Sequence, residues 1–197
     1  MNIDNTYDPT NISKNYLSGQ EFTNQVSIEQ GFNVELFEVS DKLAFIKNFG
    51  NVAVFKDGSK GLLIDTGMGV SSNQVINKLK EWGIDEIEYI IYTHGHVDHV
   101  GGTDLIAKAF KNDFLKVVSH EKVVERFDRY KKTIGYNGII NQRQFGLPAP
   151  VFPNEFRYPD ITYKDFNSSN CNSSITNFLW TLYCNESVRQ KYCRCYR

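Results

Sequence analysis

Three of the chain's four histidines fall within six residues, in Thr93-His94-Gly95-His96-Val97-Asp98-His99-Val100-Gly101-Gly102, with an aspartate between the second and third. Imidazole nitrogens and carboxylate oxygens are donors that suit zinc. Residues two apart in an extended chain face the same side, so His94 and His96 can present their rings to one ion. Asp98 and His99 follow where the chain turns into a helix, and their side chains can reach a second ion close to the first. Histidines scattered on a surface loop would not carry this spacing between a buried strand and a helix start. Gly101 and Gly102 let backbone pass near the site without a Cβ clash.

The flanking pattern says what must position this loop. A strand over Ile87 to Tyr92, apolar or aromatic through Tyr89-Ile90-Ile91, runs straight into it. Upstream, Val34 to Val39, Leu43 to Ile46, Asn51 to Phe55 and Leu62-Leu63-Ile64 alternate with Asp and Gly turns and predict an antiparallel meander. Asp65-Thr66-Gly67 ends the last of these strands. A helix follows, capped by Ser71 or Ser72, with Val75, Ile76, Leu79 and Trp82 inside and Gly83 at its end. After the histidines, Thr103 or Asp104 caps a helix with Leu105, Ile106 and Ala109 inward. Lys116-Val117-Val118 is a strand, Ser119 caps a helix carrying Val123, Val124, Phe127 and Tyr130, and a further helix spans Gly138 to Phe145. Ile161-Thr162-Tyr163 begins one more strand. A meander followed by alternating helix and strand predicts a layered α/β domain, whose sites favour the C-terminal ends of strands.

His94-Gly95-His96-Val97-Asp98-His99, with Leu63-Ile64-Asp65-Thr66-Gly67 upstream, resembles the signature of the metallo-β-lactamase-fold hydrolases over about residues 32 to 165. The stretch from Arg126 to Tyr130 through Gly135-Tyr136-Asn137 to Asn141 to Phe145 resembles uncharacterised members loosely similar to alkyl sulfatases. The resemblance implies an αββα sandwich with the site at one edge of the stacked sheets. It implies two zinc ions, the first held by His94 and His96 and the second by Asp98 and His99. Asp98 is the catalytic candidate, and Asp65 stands behind the ligands, orienting the loop by hydrogen bonds. A water ionised between the metals would attack an ester, sulfate ester, thioester or lactam.

The same family pattern supplies a third histidine for the first zinc, a bridging aspartate and a final histidine for the second, all beyond residue 165. After His99 this chain has only His120, expected as a helix-start histidine, and a tail whose Cys171, Cys184, Cys193 and Cys195 fit no zinc or disulfide framework. Three parts are expected: a loose N-terminal arm over 1–30, a metallo-β-lactamase-like domain over 31–166 lacking its C-terminal half, and an unrelated tail over 167–197. A shortened sandwich would leave apolar sheet surface uncovered. Two functions stand side by side, a zinc hydrolase and a truncated, non-catalytic half-domain that holds metal weakly or not at all.

Composition narrows the partners. Lys and Arg number 22 against 23 Asp and Glu, a formal charge of -1, which gives no pull toward nucleic acid or an anionic membrane. No apolar run is long enough to span a bilayer, and the polar N-terminus carries no secretory h-region, so a cytoplasmic protein acting on a small molecule is expected. Arg126, Arg129 and Arg143 are candidates to bind an anionic substrate group, with solvated helix faces as the alternative. Tyr136 and Asn137 are candidates for the substrate entrance. No phosphate-binding glycine loop and no serine or cysteine nucleophile elbow is present.

Overall fold

A computed structural model describes residues 33–164, together with Lys14, Leu17 and Ser18. The chain divides into two units, Met1–Asn33 and Val34–Arg197, and the second carries the sheet and the histidine loop. The arm, and the tail with its cysteines, lie outside the described residues.

The strands follow one another across a single seven-stranded sheet in chain order. β1 (Glu35–Ser40), β2 (Leu43–Lys47), β3 (Val52–Asp57) and β4 (Lys60–Ile64) form the antiparallel meander. Asp57-Gly58-Ser59 makes its last turn, with Gly58 at φ 60°, a left-handed conformation that costs glycine nothing. From β4 onward the pairing is parallel: β5 (Glu86–Ile91), β6 (Lys116–His120) and β7 (Ile161–Tyr163). Parallel neighbours need crossovers, and helices supply them. α1 (Ser72–Glu81) links β4 to β5; α2 (Val97–Val100) and α3 (Thr103–Phe110) link β5 to β6; α4 (Lys122–Lys132) and α5 (Ile134–Phe145) precede β7.

Alternation along the strands puts Ala44, Ile46, Val52, Val54 and Leu63 on one face, all fully buried. They share a core with Val75 and Leu79 of α1, Ile106 and Phe110 of α3, and Val123, Phe127 and Tyr130 of α4. Each buried Val, Leu, Ile or Phe among them contributes about 1.5–3 kcal/mol relative to exposure. The other face carries Phe37, Phe45, Ala53, Ile64 and Ile91, cross-strand neighbours in one row. These are half-buried rather than bare. The parallel strands β4, β5 and β6 all end at the same edge, so Asp65, the histidine loop and His120 leave the sheet side by side.

Several local expectations are corrected. The hydroxyls expected to cap helices sit on carbonyls instead. Ser72 Oγ donates to Gly69 O, Thr103 Oγ1 to Val100 O and Ser119 Oγ to His120 O, while Ser71 Oγ lies between Asn48 Oδ1 and Met68 O. At Ser72 and Thr103 a turn precedes the helix and leaves the carbonyl three residues back within reach of the hydroxyl, whereas Ser119 lies within β6 and bonds the carbonyl of its neighbour. Asp104 makes no cap either: Gly102 holds that position, without a side-chain bond. Leu105 is exposed, because a helix of eight residues presents one narrow stripe, taken by Ile106 and Phe110.

Candidate metal centre

β4 ends at Ile64, and the next residue turns sharply: Asp65 has φ 62°, a left-handed conformation that Asp tolerates better than most residues. Its N–H still bonds Ile91 O at the end of β5. The turn directs the carboxylate into the neighbouring loop, where it is only 3% exposed. Oδ1 accepts the Thr93 backbone N–H at 2.8 Å. Oδ2 accepts the Thr93 hydroxyl at 2.6 Å and His99 Nδ1 at 2.7 Å. A buried carboxylate with these donors is satisfied where an unpaired one would be costly.

This bracing sets the tautomers. His99 uses Nδ1–H on Asp65, so in the neutral ring Nε2 carries the lone pair. Thr93 Oγ1 donates to Asp65 and therefore accepts from His94 Nδ1, 3.0 Å away, which leaves His94 Nε2 as an acceptor too. His94 Nε2 lies 3.0 Å from His96 Nδ1. His99 Nε2 lies 3.4 Å from Asp98 Oδ2. The His94 and His99 rings sit side by side with centroids 4.2 Å apart.

Two donors bound to one zinc at about 2.0–2.1 Å with near-tetrahedral angles stand roughly 3.3 Å apart. Both observed pairs have about that separation, so the chemistry of the donors fits a metal. The fit is in pairs. Among the described residues no three His, Cys, Asp or Glu side chains are arranged to hold one ion. Within the His94–His96 pair either a shared proton or a shared cation can sit between the nitrogens. Burial, then the neighbouring His99, pushes the His94 pKa down; burial, then Arg126, does the same at His96. Both rings are thereby kept neutral, the form that ligates metal.

The loop's backbone is fixed from two sides. Thr66 N–H and Oγ1–H both reach His99 O, at 2.7 and 3.0 Å, and Gly102 N–H reaches Gly67 O. A Cβ on Gly102 would lie 2.5 Å from Thr66 O and one on Gly101 2.9 Å from Gly69 N, so the close approach foreseen for the glycine pair is made against the backbone that follows β4. From the other side, Gly50 packs on Asp98: a Cβ there would lie 1.8 Å from the Asp98 carbonyl oxygen. Asn48 tethers that loop, its Nδ2 donating to Ser71 Oγ at 2.8 Å. Under the site, the buried Tyr92 hydroxyl lies 2.9 Å from Thr103 Oγ1 and 3.0 Å from Arg157 O, and burial pushes its pKa up, keeping it protonated.

The other candidates separate. His120 is not brought to the loop's donors: its Nδ1 accepts Lys122 N–H, its Nε2 bonds Lys164 O, and its ring meets Tyr163 edge-on. Arg126 lies against Gly95, while Arg129 and Arg143 are exposed. Tyr136 is exposed, and Asn137 donates to Thr133 within α5's first turn. Sequence reasoning assigns no role to Thr93, Gly50 or Asn48. The only local signal is their place, Thr93 directly before the motif and Asn48 and Gly50 between two strands.

Known proteins agree with this architecture. The family model of the metallo-beta-lactamase superfamily matches residues 46–161. An exodeoxyribonuclease of Bacillus anthracis is 30% identical over 73 residues, 37% of this chain and 26% of that protein. A probable metallo-hydrolase of Methanocaldococcus jannaschii is 27% identical over 127 residues, 60% of this chain and 62% of that one. Among solved structures, a Cronobacter sakazakii metallo-beta-lactamase with a HARLDQ motif superposes with TM-score 0.52 at 17% identity, over 70% of this chain and 49% of its own. The chain thus spans less than two thirds of each of these proteins. With the family model matching more than half of its length, this chain belongs to the metallo-beta-lactamase superfamily.

Proposed function

We propose that the chain carries the metal-holding loop of a zinc-dependent hydrolase acting on a small-molecule ester, sulfate ester, thioester or lactam. The observation that supports this best is the pairing of lone-pair donors at one strand edge, His94 Nε2 with His96 Nδ1 and Asp98 Oδ2 with His99 Nε2. In this reading His94 and His96 hold one zinc and Asp98 and His99 hold a second. Bound there, zinc supplies a nucleophile from water near neutral pH and positive charge opposite a developing oxyanion.

The chain's own residues do the rest. Asp65 is a positioning residue, holding His99 directly and His94 through Thr93. Asp98, with an imidazole as its partner, accepts a hydrogen bond from the attacking water and so aims it. Each donor pair leaves coordination positions for water, substrate and further donors. The near-zero formal charge favours a small molecule over nucleic acid as substrate. A cytosolic setting, in which Cys193 and Cys195 stay reduced, suits this reading.

The test is a hydrolysis panel of the four bond types with the full chain, chelated and then reloaded with zinc. Turnover that appears with zinc and disappears in His96→Ala is expected. Turnover indifferent to chelation and to His96→Ala would remove the metal mechanism.

A further inference from the structure

We infer that Arg126 binds an oxyanionic group of the substrate beside His94 and His96. This rests on the proposed metal site and names the substrate class: a molecule carrying a carboxylate, phosphate or sulfate next to the bond that is cleaved.

The placement comes from α4. Its second turn packs on the one residue between the paired histidines, and that residue has no side chain. A Cβ on Gly95 would lie 3.1 Å from Arg126 Cδ, so the arginine stem lies against the one residue that separates the two histidines. Its head is aimed by a fixed partner. Arg126 Nη1 donates to Tyr130 Oη at 2.8 Å, and the guanidinium carbon sits 5.4 Å from that ring's centroid. Tyr130 in turn is buried against Phe152 and Phe156, with centroids 4.9 and 5.6 Å away.

Arg126 is half-buried, which leaves its guanidinium open to an anion from solvent. The hydrogen-bond partner of Arg126 is a neutral phenol, and among the described residues no carboxylate forms an ion pair with it. A fixed cation beside a loop that would hold cations is unfavourable by itself. An oxyanion seated between the guanidinium and the metal-holding edge offsets that repulsion, and a planar fork with one N–H group already oriented is well suited to grip it. Arg129, one turn further along and exposed, has the same charge without the placement.

The test is calorimetric titration of the full chain with inorganic phosphate, inorganic sulfate and acetate, each with and without saturating zinc. Binding of at least one of these anions is expected, and the tightest identifies the group. Arg126→Gln should weaken it by about tenfold to a hundredfold, the loss of a charge-assisted hydrogen-bonded contact. Tyr130→Phe should weaken it by a smaller factor, since only the aim is lost. Arg129→Gln removes the same charge and should change little. Equal weakening by Arg126→Gln and Arg129→Gln, or none by Arg126→Gln, would overturn the inference. Zinc titration of Arg126→Gln separates the two readings. Retained zinc with lost anion binding supports the Arg126 assignment, whereas absent zinc binding in the unaltered chain removes the metal reading and leaves the metal-free anion titration to decide on Arg126.

Discussion

Neighbouring parallel strands β5 and β6 end at the same sheet edge, and each runs into histidine-bearing backbone. The outcomes differ. At the end of β6, His120 has both ring nitrogens bonded to backbone, one accepting from Lys122 and one reaching Lys164 O. At the end of β5, His99 gives one nitrogen to the Asp65 carboxylate and keeps the other facing Asp98. What separates a structural histidine from a donor poised for metal is thus the partner of its second nitrogen. That partner is chosen by which loop the topology sets alongside. Asp65 follows directly on β4, the strand next to β5, where its left-handed turn delivers a carboxylate; beside β6 the next strand is β7, and the chain there delivers backbone.

The contrast can be broken at Asp65. Asp65→Asn keeps a residue that tolerates φ 62° but replaces a charged acceptor facing a backbone N–H, a hydroxyl and an imidazole. A stability loss of about 2–4 kcal/mol is expected by denaturant titration, from buried donors left poorly matched. Zinc affinity should fall about tenfold to a hundredfold, since the tautomers of both His99 and His94 lose their anchor. Unchanged zinc affinity would mean that the carboxylate serves folding alone.

Gly50→Ala comes next. The new methyl meets Asp98 O at 1.8 Å, and backbone cannot swing away as a side-chain tip can. A loss of about 1–3 kcal/mol is expected in thermal unfolding. Zinc affinity should drop with it, because the displaced residue carries a donor. On the structural side of the comparison, His120→Ala should cost about 1 kcal/mol, the net worth of its two backbone contacts, with no effect on zinc content. Metal lost along with His120 would erase the distinction between the two strand ends.

The smallest effect is on pH. His94 and His96 have pKa values below the ordinary histidine value in the folded chain. Once pH falls below about 6.5, the unfolded chain takes up protons that the folded, metal-free chain resists, so stability declines through that window; above it these two groups contribute no slope. Unfolding midpoints of zinc-free protein across that range, compared with a His94→Ala/His96→Ala variant, should show the decline shrinking in the variant.

Most of the sheet was readable along the chain because alternation and Asp/Gly turns are local signals. The parallel half followed from strand–helix order. The caps were not readable: a serine or threonine before a helix can bond backwards to a carbonyl as easily as forwards to an N–H, and Thr103 and Ser72 do the former. At the site, the spacing of His94, Asp98 and their neighbours is written in one segment. The Thr93 relay, the Gly50 contact and the Asn48 tether join segments tens of residues apart, and their meeting depends on strand order and register. His120 shows the converse, a residue type alone saying nothing about where its nitrogens point.

The central claim is that the 94–99 loop holds metal, and zinc content of the purified full chain tests it most directly. After chelation and zinc reloading, the unaltered chain and His120→Ala should retain zinc through gel filtration, while His94→Ala and His99→Ala should each lose it in part or whole. Equal zinc content in all four proteins, or none in any, would contradict the account.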